Sequence, residues 1–84
     1  MQDQTYQNKS LIDGVLLDNN NSRMSISAIK DAIHQKCGMN LSYNQIHYIL
    51  SESECSDNYI RTIGHPDTYQ IESALYLRLT RVTQ

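Results

Sequence analysis

The sequence predicts an α+β domain: three helices followed by a C-terminal β-hairpin. Three observations carry the prediction. Apolar residues recur at helical spacing up to Leu50. Beyond Asp57 the apolar period changes to two. Between these regions, only Met39-Asn40-Leu41 joins the second helical run to the third. A chain of 84 residues holds one domain, and a domain of this size buries only about 60% of the surface it exposes when unfolded. With 39% hydrophobic residues, no Trp or Phe and six Tyr, the aromatic part of its core comes from rings whose hydroxyls need a partner or water.

The polar start of the chain has no periodicity, so residues 1–8 are expected to form a flexible arm and residues 9–82 the folded domain. In the first helix, Leu11, Ile12, Val15 and Leu16 fall on one face. Gly14 costs about 1 kcal/mol against Ala in a helix, which points to close approach by another element. Asn19-Asn20-Asn21-Ser22 ends the helix, because these side chains compete for backbone hydrogen bonds. Arg23–Ile26 alternates and suits a short strand. Ser27 suits an N-cap for a second helix over 28–37, with Ile29, Ala32, Ile33 and Cys37 on its inner face. Gly38 stands where a left-handed C-terminal residue is wanted, and Lys36 lies in the last turn, where the helix dipole favours a cation.

Ser42 is the N-cap candidate of a third helix over 43–51. Its inner side is Ile46, Ile49 and Leu50, with Tyr43 at the boundary. Asn44, Tyr48 and Ser51 point outward, flanked by Gln45 and His47. The acidic segment 52–57 ends this helix as a solvated loop. Residues 58–63 read as a strand and Gly64-His65-Pro66-Asp67 as a turn. Residues 68–73 either extend the hairpin or form a long loop. Residues 74–81 alternate strictly, which predicts a strand with Leu75, Leu77 and Leu79 facing the core. The rival is a helix through Ile71, Leu75, Leu79 and Val82, which is disfavoured because it would expose Leu77.

The order helix, short strand, helix, tight turn, helix, strand–loop–strand resembles the winged helix-turn-helix superfamily. Ile29, Ile33 and Gly38 in the second helix carry the resemblance, with Leu41 and Ile46 in the turn and third helix and Tyr76, Leu77 and Leu79 near the end. It covers roughly residues 9–82 and is one of layout rather than of a sharp motif. It implies a DNA-binding transcriptional regulator whose third helix enters the major groove and whose wing lies on the backbone or in the minor groove.

The charges qualify that implication. Net charge is −2, so bulk positive charge does not hold this chain on nucleic acid. Residues 42–57 contain no Lys or Arg. Asn44, Gln45, His47 and Tyr48 remain chemically competent to contact bases, since Asn or Gln can bond adenine bidentately. Arg61 and Arg78 are the candidates for phosphates. From residue 58 onward three Arg stand against Asp67 and Glu72, an excess of one positive charge. The expectation is weak intrinsic DNA affinity, aided by a homodimer or a partner protein, with Tyr6 and Leu17 as candidates for pairing two copies. If Tyr76, Arg78 and Thr80 share the outer face of the hairpin, its positive pole opposes the acidic stretch Glu52–Asp57, and such a dipole steers a polyanion. The competing reading keeps the fold as a protein-interaction module, such as a modulator of a transcription or defence complex of phage or plasmid origin. Outward Tyr48 would contribute contact area at low entropy cost.

Other chemistry is not expected. His34 and Cys37 share a helix, with His47, Cys55 and His65 elsewhere. No second compact ligand pair completes a zinc motif, and Cys37 reads as a small buried apolar residue. There is no Gly-rich phosphate loop, nucleophile elbow or paired-carboxylate spacing, so neither an enzyme nor a cofactor is expected. The longest apolar stretch, Val15-Leu16-Leu17, is far short of the ~20 residues of a membrane-spanning helix. The N-terminus lacks the pattern of a secretory leader. Two cysteines do not make a disulfide framework, so a reduced, cytoplasmic setting is expected.

Overall fold

The computed structural model describes residues 4–81. The order of elements is α1 (Gln4–Asp18), β1 (Met24–Ser25), α2 (Ile26–Cys37), α3 (Tyr43–His47), β2 (Tyr59–Thr62), β3 (Thr68–Ile71) and α4 (Ser73–Arg81). A π-helical turn, Tyr48–Glu52, prolongs α3, and a 3₁₀ turn, Ser56–Asn58, precedes β2. The class is α+β, with four α-helices and a three-stranded antiparallel sheet in the order β1-β3-β2 among the described residues.

Ile12 and Leu16 of α1, Ile29 and Ile33 of α2 and Ile46 and Ile49 of the third helical segment are buried in one core, which Tyr69 and Ile71 of β3 complete. Burying such side chains is worth about 1.5–3 kcal/mol each. The helical period of the sequence therefore maps directly onto the packing.

Several local devices depart from the sequence reading. Helix α1 starts at Gln4, so residues 4–8 are not a flexible arm, while residues 1–3 lie outside the described residues. Asn8 is buried and its side chain accepts a hydrogen bond from Gln4 Nε2 at 3.3 Å. Tyr6, offered as a dimer contact, donates its hydroxyl to Glu54, and half-buried Leu17 packs on the core. The N-cap of α2 is Ser25 rather than Ser27. Ser25 has extended backbone angles, and its Oγ accepts from the Ala28 N–H at 3.2 Å. Helix α2 thus begins two residues earlier, and the strand before it shrinks to Met24–Ser25.

Gly38 ends α2 at φ 69°, as its position predicts. Cys37 beside it is exposed rather than buried. At Gly14 a Cβ would meet only the Lys36 Nζ, at 3.6 Å, so no element approaches closely there. Ser42 and Gln45 form a reciprocal capping box at the start of α3. The acidic segment is not merely solvated, because Ser53 and Cys55 are buried. The Ser53 Oγ donates to the Ile49 carbonyl at 3.0 Å and accepts from the Cys55 N–H at 3.1 Å.

The Asn-rich turn does more than end α1. Asn20 and Asn21 adopt left-handed conformations, at φ 57° and 56°, which Asn tolerates better than most residues. The Asn21 amide then clamps β3. Its Nδ2 donates to the Ile71 carbonyl at 2.9 Å and its Oδ1 accepts from the Ile71 N–H at 2.7 Å. A side chain thus continues the β1–β3 pairing, which runs only through Met24↔Tyr69 and Ser25↔Thr68.

The largest correction concerns the C-terminus. Residues 68–71 form the hairpin partner of β2, with Tyr59↔Ile71 and Thr62↔Thr68 at the ends of the register. β3 lies between β1 and β2, so the hairpin is complete before residue 74. Residues 73–81 are helical, the reading disfavoured from the alternating pattern. The Glu72 carboxylate caps this helix by accepting from the N–H groups of Ala74 and Leu75 at 3.0 and 3.1 Å. These bonds hold its carboxyl below the usual range. Leu75 and Tyr76 pack on the core, no residue of α4 is fully buried, and Leu77 is 51% exposed. Among the described residues no helix is long and apolar enough to cross a membrane.

Candidate nucleic-acid interface

The six residues singled out for DNA contact separate into two groups and one outlier. Asn44, Gln45 and Tyr48 lie exposed on the third helical segment. Gln45 Oε1 accepts from the Ser42 N–H at 2.8 Å. Its carbonyl oxygen is thereby committed to the capping box, which weakens its case for bidentate contact with adenine. His47 and Arg61 form the second group, because both line one cleft. Arg78 is the outlier. It lies exposed on α4, not on the hairpin, and does not line the cleft. The face expected to join Tyr76, Arg78 and Thr80 to Arg61 therefore does not exist as a strand face, and the positive pole drawn from it is lost.

The cleft has a volume of about 320 Å³. The start of α2 contributes Ser25, Ile26 and Ser27, α3 contributes Tyr43 and His47, and the hairpin contributes Arg61, Gly64, Pro66, Asp67 and Tyr69. Tyr43 was not among the sequence candidates. It stands one residue after the N-cap Ser42, at the edge of the apolar face, and is 53% exposed. Its ring lies parallel to that of His47 within 9°, with centroids 6.4 Å apart. The i, i+4 spacing of two rings was the signal for this pair.

The charges beside the cleft are matched. Arg61 Nε donates to Asp67 Oδ2 at 2.8 Å, and its Nη2 reaches the same oxygen. Asp67 Oδ1 accepts from the Gly64 N–H at 2.8 Å. The Gly64 N–H first, and then Arg61, hold the Asp67 carboxyl below its usual range. The same contact raises the Arg61 guanidinium further. His47 Nδ1 lies 3.3 Å from a Glu52 oxygen. The turn therefore presents an ion pair rather than a free cation.

A second polar cluster lies between α1 and β2. Lys9 Nζ bonds Asp13 Oδ2 at 2.6 Å, and the Tyr59 hydroxyl donates to Asp13 Oδ1 at 2.5 Å. Lys9 also lies 5.5 Å from the Tyr59 ring centroid. Burial, and then the Asp13 charge, push the Tyr59 hydroxyl pKa well up. This cluster stitches a helix to a strand. Among the described residues, no three His, Cys, Asp or Glu side chains converge as a metal site would require.

Comparison with family models, curated protein sequences and solved structures gave no match for the chain.

Proposed function

We propose that the chain is a small winged-helix DNA-binding regulator of weak intrinsic affinity, acting in the cytoplasm as a dimer or beside a partner protein. The observation that supports this reading is the convergence of α3 and the β2–β3 turn on one cleft. On this reading exposed Asn44 and Tyr48 of the third helical segment would contact the duplex. The order α1, β1, α2, α3, β2, β3 is compatible with the winged-helix layout, and α4 is an addition to it. Weak affinity follows from the charges: residues 42–57 supply no cation, and Arg61 is already paired. Titration of a random-sequence duplex at low salt tests the reading. The expected result is a complex that dissociates steeply as salt rises. The absence of any complex at high micromolar protein would refute direct DNA binding.

A second reading, a protein-interaction module, is favoured by the same matched charges and by the exposed rings of Tyr43 and Tyr48. Capture from nuclease-treated lysate distinguishes it. A partner that survives nuclease and is lost on Tyr48→Ala supports the module, and a partner lost with the nucleic acid counts against it.

A further inference from the structure

We infer that the cleft between α3 and the β2–β3 turn receives a single unpaired nucleobase, so that the protein prefers DNA carrying a base outside the duplex stack. This inference rests on the nucleic-acid reading and narrows it to a class of substrate.

The size, the wall and the charge of the cleft lead to the same occupant. At about 320 Å³ it falls at the lower end of pockets that hold small molecules, roughly 300–1,000 Å³. It admits one heterocycle and not a segment of helix. Two aromatic side chains line it, the half-exposed Tyr43 and His47, with their rings parallel. Tyr43 is exposed beside apolar Ile26 and Pro66, so part of its ring area is wet, and the π-face of a base would cover it. The Arg61–Asp67 pair in the same lining combines N–H donors with a carboxylate, and the edge of a base likewise carries both donors and acceptors.

Charge selects between base and phosphate. The strongest phosphate sites present uncompensated cations, whereas here Asp67 neutralises Arg61 at contact distance. Stacking on an aromatic ring needs no net charge. Bases within a duplex are already stacked on each other. An occupant must come from a bulge, a strand end or a single strand, where bases are free to stack on protein aromatics.

A duplex with a single bulged 2-aminopurine provides the test, compared with the fully paired duplex and with a duplex whose bulge is abasic. The bulged base is expected to strengthen binding about tenfold over the paired duplex, with 2-aminopurine fluorescence quenched in the complex. Tyr43→Ala should abolish both effects, while Tyr43→Phe, which keeps the ring, should retain them. Tyr43 is exposed, and an unchanged urea midpoint would show that each variant is folded. Equal affinity for the paired and bulged duplexes would overturn the base site while leaving DNA binding intact. Equal affinity for the abasic and 2-aminopurine bulges would also overturn it, because only bending would then be sensed. Failure to bind any of the three duplexes would overturn the nucleic-acid reading itself.

Discussion

One polar cluster ties α1 to β2 and another braces the β2–β3 turn, and they differ in what burial does to them. Between α1 and β2, Lys9 and Asp13 are each 16% exposed, and the Tyr59 hydroxyl closes the group from a buried ring. At the β2–β3 turn, Arg61 is 51% exposed and its pair with Asp67 faces the cleft. Both use a carboxylate bonded through both oxygens. Water screens the second and hardly reaches the first. A shielded pair stabilises the fold, because removing one partner strands the others. A wet pair does little for stability and instead sets the charge that a ligand meets.

The largest effect expected from breaking this contrast is that of Asp13→Ala. It leaves Lys9 unpaired in a half-buried site and the Tyr59 hydroxyl without its acceptor, a loss of about 2–4 kcal/mol. Urea denaturation should show the midpoint falling accordingly. Tyr59→Phe keeps the ring in place and removes only the donated bond, so a smaller loss of about 1–2 kcal/mol is expected from the same measurement. Gly14→Ala, the next residue on α1, should raise stability by about 0.5–1 kcal/mol. Its Cβ would make only an ordinary contact with Lys36, and the gain is one of helix propensity.

pH separates the clusters by sign. Tyr59 has a folded pKa raised above its unfolded value, so its contribution is complete below about pH 10 and erodes as pH rises above that. Asp67 and Glu72 have folded pKa values depressed below their unfolded ones. Their contribution is present above the ordinary carboxylate range near pH 4, and is lost as pH falls through the lower folded values. Amide exchange should accordingly show the turn and the start of α4 loosening first in acid, and the α1–β2 contact loosening first in alkali. Tyr59→Phe should remove the alkaline arm alone.

The smallest effect on stability, and the most telling for function, is that of Asp67→Asn. The amide oxygen can still accept from the Gly64 N–H, so the fold should be nearly unchanged, but the Arg61 charge is uncovered. Duplex binding should strengthen, with a salt dependence steeper by about one counterion. An unaltered salt slope would show that Arg61 does not face the nucleic acid.

The legibility of the fold followed the range of the interactions behind it. Ser42 announces an N-cap, Gly38 announces a helix end, and Ile46, Ile49 and Leu50 announce a buried face. All of these act within one or two helical turns. Residues 74–81 were not legible in the same way. A segment with Leu at 75, 77 and 79 serves as a half-buried strand or as a helix that wastes one leucine, and nothing local decides between them. In the cleft, His47 and Arg61 were foreseen but their partners were not. Glu52 faces His47 across the turn from α3 into its π-helical extension, and Asp67 faces Arg61 across the hairpin. Tyr43 was passed over because its place at the edge of an apolar face gives no sign of what stands opposite.

The sequence by itself determined the three helical runs up to Leu50, the turn that joins the second to the third, the hairpin turn at Gly64–Asp67 and the poverty of cations along α3. Periodicity, caps and charge are properties of neighbouring residues, and they survive any arrangement of the whole. Only the tertiary structure decided that residues 68–71 become the central strand, which completes the hairpin and leaves the next segment to be capped by Glu72 as α4. It also decided which cations are free, because an ion pair across a turn depends on where two strands place their side chains. The Asn21 clamp on Ile71 shows the same division. The helix end is written in the Asn run, but the strand that the Asn21 amide holds lies 50 residues away and exists only once the sheet has formed.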